Sequence, residues 1–209
     1  MNKFINLILL LQIPLFVSCN SNSTNKRIAN LEINNFDMNH YANDGSIIYS
    51  VKSPISEYIV GKQTLILSKT NIKLFNDNEV KYIIKADNSI LKNNNKIVEL
   101  SGNINVLGFS TEKEKLTADN FLWNINESEF TLLGNVNFEN DYILLNSNKA
   151  KLDKESNLIT FFNPVNYSIK DGVKNSKLEI SAEDAFYDIK NKNVIFKSKE
   201  KRVKSIIYF

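Results

Sequence analysis

The chain has 209 residues, 43% of them hydrophobic and 11% aromatic, with a formal net charge of +3. That length supplies the core of one β domain, and so small a charge excess excludes the strong basic field of a nucleic-acid binder. A single histidine and a single cysteine leave no material for paired thiolate metal ligation or disulfide chemistry.

At the N-terminus, Lys3 precedes an apolar run from Phe4 to Val17 interrupted only by Asn6, Gln12 and Pro14. The run falls short of the roughly 20 residues a spanning helix needs and fits the about 7–15 of a secretory core segment. It ends in Phe16-Val17-Ser18-Cys19, which resembles a bacterial lipobox, with Phe16 where leucine is commoner. The expectation is a signal peptide over residues 1–18, a lipid anchor at Cys19 holding the chain to a membrane, and a flexible Asn/Ser-rich tether through residue 29. Residues 30–209 then form one domain.

Within that domain helix signals are nearly absent, and two-residue alternation recurs. It runs through Phe121, Trp123 and Ile125; Phe130, Leu132, Gly134, Val136 and Phe138; Val165, Tyr167 and Ile169; and Leu178, Ile180 and Ala182. Alternation puts one set of side chains on one sheet face and exposes the other. Turns are expected at Asn43-Asp44-Gly45, Lys92 to Lys96, Asn124 to Ser128 and Asp171-Gly172. His40 reads as a surface residue before the first strand. The fold class is all-β.

An internal repeat adds to this. Ser53, Ala86, Ala118, Ser147 and Ala182 fall 33, 32, 29 and 35 residues apart. Five positions after each stands a large apolar residue: Tyr58, Leu91, Trp123, Leu152 and Tyr187. Second strands centre on Ile72, Ile104, Val136 and Val165, and three are approached by similar segments, read as turns into the strand: 101–106 (SGNINV), 133–138 (LGNVNF) and 162–167 (FNPVNY). The chain thus reads as about five units of roughly 32 residues, each burying its apolar face against the next.

The segment 118–138 (ADNFLWNINESEFTLLGNVNF) resembles the repeat of the OstA-like (LptA-like) family of lipopolysaccharide-export proteins. Segments 37–54, 80–91 and 97–107 resemble its LptC branch, where an Asp-Gly turn precedes the first long strand. The likeness covers roughly residues 30 to 200. It implies an open β-jellyroll of two facing antiparallel sheets that passes lipopolysaccharide or a related lipid from an inner-membrane ABC transporter toward the outer membrane. The setting implied is the periplasmic side of the inner membrane. Relatives often carry a transmembrane helix where this chain offers Cys19.

The lipid-groove candidates are Ile48, Tyr82, Ile84, Ile104, Val106, Phe121, Trp123, Val136, Phe138, Leu145, Phe162, Val165 and Tyr167. Moving one acyl methylene from water into such a groove contributes about 0.8 kcal/mol. The resemblance further implies that exposed sheet edges pair with the transporter's periplasmic domains and with another OstA-like jellyroll. The candidates are Ile47, Ile48 and Tyr49 at an N-terminal edge running to Val51, and Val194 and Phe196 at a C-terminal edge reaching Lys199, or alternatively Val203 to Phe209. The apolar ending Ile206-Ile207-Tyr208-Phe209 calls for a packing partner.

No catalytic constellation emerges. His40 has no Gly-x-Ser-x-Gly element to serve. The pairs Glu112/Glu114 and Glu127/Glu129 read as solvated faces, the aspartates Asp141, Asp153, Asp171 and Asp188 as turn residues, and the glycines form no phosphate loop. The expectation is therefore a non-enzyme with no metal and no cofactor. The alternative is a structural or adhesive surface lipoprotein with a filled β core and no lipid cargo.

Overall fold

A computed structural model describes residues 30–108, 114–127, 129–162, 164–170 and 177–208. The expected signal peptide, Cys19 and its tether, Glu112, Ser128, the Asp171-Gly172 turn and Phe209 lie outside the described residues. The strands are β1 (Asn30–Tyr41), β2 (Ile47–Ile59), β3 (Thr64–Asn76), β4 (Glu79–Lys92), β5 (Ile97–Gly108), β6 (Lys115–Asn124) and β7 (Glu129–Glu139). They continue as β8 (Ile143–Asp153), β9 (Leu158–Phe162), β10 (Val165–Ile169), β11 (Lys177–Ala182), β12 (Asp184–Asp188), β13 (Asn193–Lys197) and β14 (Lys204–Tyr208). A single 3-10 turn at Val60–Lys62 is the one helical element among the described residues.

All 14 strands belong to one antiparallel sheet, ordered β1 to β8 and then forked. The first half of β8 pairs with β10, and through it with β11 and β14; the second half pairs with β9, then β12 and β13. The fork follows from a corner that β1 to β8 all cross. Register shifts interrupt the ladders between Ser101 and Ile104 in β5 and between Leu133 and Val136 in β7. In both places two residues face one, Gly102-Asn103 against Asp119 and Gly134-Asn135 against Asn148, as in a β-bulge. Both pairs sit at positive φ, where glycine and asparagine are least strained. The Asn103 amide donates to Asp87 Oδ2 at 2.6 Å, and the Asn135 amide to Asp119 Oδ2 at 2.8 Å.

The Gly-Asn segments are therefore mid-strand corners, not turns leading into strands as the sequence suggested. Pro164, between β9 and β10, stands at the same corner, where a residue with no N–H to donate to a ladder is tolerated. The small residues of the repeat stand beside these corners: Ser53, Ala86, Ala118 and Ser147 are all buried just before the break. The hydroxyls of Ser53 and Ser147 each donate to the carbonyl two residues on, at 2.6 and 2.8 Å.

The expected N-terminal edge is a correction. Ile47 and Tyr49 lie on β2, which pairs with β1 on one side and β3 on the other. Ile48 is on the same strand, and Tyr49 is fully buried. The free edge is β1, whose alternation is hidden because Asn35 at positive φ resets the pattern between Ile33 and Phe36, amid exposed Asn, Asp and Glu. His40 accordingly lies on β1 and stacks on the Tyr49 ring at 4.9 Å. The Asp44-Gly45 turn joins β1 to β2 and so follows the first strand; Ser46 donates to Asp44 Oδ1 from both N and Oγ.

Candidate lipid groove and its seam

The corner divides the sheet into two walls. One contains residues 70–76, 79–86, 104–108, 115–118, 136–139 and 143–147 with β10, β11 and β14; the other contains 64–68, 88–92, 97–101, 120–124, 129–133 and 149–153 with β9, β12 and β13. Aromatic rings from opposite walls meet between them. Tyr49 meets Trp123 at 5.4 Å, Tyr82 meets Phe130 at 6.5 Å, Phe138 meets Tyr187 at 4.6 Å and Tyr167 meets Phe196 at 5.2 Å. β4 and β7 are not ladder neighbours, so these contacts require the sheet to fold over and face itself.

Of the groove candidates, Tyr82, Ile84, Ile104, Val106, Phe121, Trp123, Val136, Phe138, Leu145 and Val165 are buried in this single core. Ile48 and Tyr167 are half-buried and pack on its margin. Phe162 is a correction. In β9 the alternation buries Ile159 and Phe161, so Phe161 meets Phe138 while the Phe162 ring lies under the Lys149 ammonium at 5.3 Å. Phe130, Phe161 and Tyr187, fully buried and absent from the candidates, complete the interior. Phe130 stood in a clean alternating run, and Tyr187 in the repeat, so both were legible.

The interior is closed. The space bounded by Tyr82, Val106, Leu116 and Phe138 on one wall and Leu152 and Ile159 on the other is about 20 Å³, room for about one water. An acyl chain enters only if the walls part. Opposite the corner, the turns of the two walls meet along a seam tied by polar contacts. Tyr49 Oη donates to Asn95 O at 3.0 Å. Lys81 Nζ donates to Lys154 O at 2.7 Å and to Asn157 Oδ1 at 2.8 Å. Glu114, nearly buried, accepts from Tyr187 Oη at 3.1 Å and pairs with the Lys192 ammonium, while the Asn140 amide donates to Tyr187 Oη at 3.3 Å.

Burial shapes the titration of these groups. It pushes the Tyr82 phenol up to about 12, helped by the Glu114 charge, and raises Tyr49 and Tyr167 as well. It pulls the Lys81 and Lys154 ammoniums below the ordinary lysine value. The seam residues were not legible in the sequence, because they come from strand ends and turns 46 to 78 positions apart.

At the margins, β1 pairs only with β2, β13 only with β12, and β14 only with β11. Val194 and Phe196 lie on β13, and Phe196 faces the core. β14 exposes Ile206, Ile207 and Tyr208. No helix among the described residues is long and apolar enough to cross a membrane.

One antiparallel sheet folded on itself, unclosed at its margins and apolar between its walls, defines an open β-jellyroll. Residues 5–141 match the family described as lipopolysaccharide-assembly, LptC-related. The chain belongs to that family. It is also similar to the crystal structure of LptH from Pseudomonas aeruginosa, the LptA homologous periplasmic component of a lipopolysaccharide transport device. There the identity is 14%, the TM-score 0.48, and the match covers 60% of this chain and 93% of the other. No curated protein matches the sequence.

Proposed function

We propose that this chain is a non-enzymatic lipid-transfer component of lipopolysaccharide export. It works from the periplasmic face of the inner membrane, where lipidated Cys19 and the tether through residue 29 hold it. The observation that carries the reading is the continuous apolar interior between two walls whose opposite ends are held together by side-chain ties rather than by a sheet ladder. Parting the walls breaks a few hydrogen bonds, each contributing about 0.5–1.5 kcal/mol net, and separates the ring pairs that meet between them, but leaves every ladder intact. Several acyl chains at about 0.8 kcal/mol per methylene offset that cost. Transfer then needs no catalytic group; the energy for extraction comes from an ABC transporter.

The free margins supply the contacts. β1 is the strand to which a periplasmic domain of the transporter adds, and β13 with β14 is where another OstA-like jellyroll continues the groove. A partner there would cover Ile206 and Ile207. The closed interior equally suits a structural lipoprotein with a filled core. A photoreactive residue at Phe138, inside the core, separates the two. Lipid adducts at that position in cells, with none at exposed Leu133, support transfer. Absence of adducts at Phe138 in a folded variant refutes it.

A further inference from the structure

The wall that contains β10, β11 and β14 carries on its outer face a polar row that the lipid groove does not use. One rung of paired positions runs from Asn71 through Lys85, Asn105, Thr117 and Asn137 to Asn146. The adjacent Ile72, Ile104, Val136 and Leu145 are buried in the core, so alternation turns the rung outward. Two adjoining hollows lie along it. One, of about 410 Å³, is lined by Asn103, Asn105, Thr117 and Asp119. The next, of about 440 Å³, is lined by Asn137, Asn146, Asn148 and Asn166, and Asn135 borders both. The charges in the lining are matched: Lys115 pairs with Glu139 at 3.7 Å, and Asp119 accepts from the Asn135 amide at 2.8 Å. The hollows are therefore close to neutral, and side-chain amides dominate their polar groups.

Asn105 Oδ1 and Asn137 Oδ1 are buried there with no hydrogen-bond partner among the described residues, and so is Asn71 Oδ1 further along the rung. A buried acceptor without a donor weakens a fold, and asparagine is a poor strand former in any case. Three such residues at equivalent places of the repeat call for a donor from outside the chain. They stand on β3, β5 and β7, so the unmet acceptors recur every second strand, about 9.5 Å apart. That step is close to the length of one disaccharide in an extended β-1,4-linked glycan.

We infer that this face is a binding track for a linear β-1,4-linked glycan of N-acetylated sugars, lying across the strands with one disaccharide to each asparagine. Sugar hydroxyls and acetamido N–H groups supply the missing donors. An asparagine amide both donates and accepts, as an acetamido group does, and its broad χ2 lets Oδ1 swing toward the ligand. The Asn103 and Asn135 amides, held by Asp87 and Asp119, fix the rim. Neutral hollows favour such a polymer over an anionic one. The track lies outside the walls, so glycan and lipid occupy separate sites.

The test titrates the full chain with three soluble probes: an N-acetylglucosamine hexasaccharide, the corresponding disaccharide, and a glucose hexasaccharide of the same linkage without acetamido groups. The acetylated hexasaccharide should bind about tenfold or more tighter than either of the others. Asn105→Thr and Asn137→Thr should each weaken it about tenfold, while their unfolding midpoints stay level or rise, because threonine suits a strand. Asn120→Thr, on the outer face of the opposite wall, should change nothing. Equal binding of the two hexasaccharides overturns the N-acetyl chemistry, and equal binding of the acetylated hexasaccharide and disaccharide overturns the two-strand step. A loss in Asn120→Thr as great as in Asn137→Thr overturns the track. So does failure of all three probes to bind, which would leave water as the donor to these amides. Lipid adducts at Phe138 read the other site and stand or fall separately.

Discussion

Phe130→Ala tests whether the groove is closed at rest. The ring is fully buried and meets Trp123 at 5.3 Å, Phe121 at 5.4 Å and Tyr82 at 6.5 Å, so its contacts span both walls. Truncating such a side chain in a filled core costs about 3–5 kcal/mol, transfer and cavity terms together. The loss of three ring pairs puts this site in the upper part of that range. With a urea slope near 2 kcal/mol per molar, the midpoint should fall by about 2 M. Trp123, the chain's single tryptophan, reports the transition by fluorescence. Leu133→Ala, on the exposed outer face, should shift the midpoint by less than about 0.3 M and serves as the control. If the interior were open to solvent at rest, Phe130 would lose little on truncation. A fall below about 0.5 M at unchanged slope would refute the closed state.

The corner and the seam yield further expectations. Gly134→Ala should destabilise by about 1–3 kcal/mol, because a Cβ there would stand 2.6 Å from Asp119 Oδ2 at φ +75. Gly45→Ala, at φ +85 with open space around it, should cost less, and equal urea midpoints would contradict the corner geometry. Glu114→Gln should lose about 1–2 kcal/mol and couple to Lys192→Met in a double-mutant cycle; additive effects would mean the pair does not tie the walls. Alkaline pH should also loosen the fold. The Tyr82 phenol is raised from 10.0 to about 12 on folding, so its contribution is complete below pH 10 and lost as pH rises toward 12. The slope is about 1.4 kcal/mol per pH unit for each such phenol, with Tyr49 adding in the same direction. Unfolding midpoints that stay flat from pH 9 to about 11.5 would show both rings exposed.

Much of the wall structure was legible in the sequence. The run from Phe130 to Phe138 became β7, and its alternation survives the corner because the Gly134-Asn135 bulge adds one residue relative to β8 and keeps the phase. Other strands reveal less to a period-two reading. In β6 the buried positions change from Leu116 and Ala118 to Phe121 and Trp123, so the phase slips at the corner and the strand looks shorter than it is. β1 escaped because its apolar residues are sparse and its outer face is rich in asparagine. The repeat's small and large positions mark real places, the residue beside the corner and the side chain beyond it. The seam was hidden for a different reason. Lys81, Glu114, Lys154 and Lys192 are ordinary turn and strand-end charges locally, and only folding one wall over the other brings them together. That is why the seam has no sequence signature.

The most direct test of a groove that opens for its cargo is a distance across the seam. Spin labels at Asp77→Cys and Ser156→Cys, both exposed turn positions on opposite walls, with Cys19→Ser to leave no other thiol, would read that separation by pulsed electron spin resonance. A single short distance should hold without ligand, and saturation with phosphorylated, acylated glycolipid should shift the population to longer distances by about the width of an acyl chain. An unchanged distance in a sample whose lipid is demonstrably bound would place the cargo outside the walls and contradict the account.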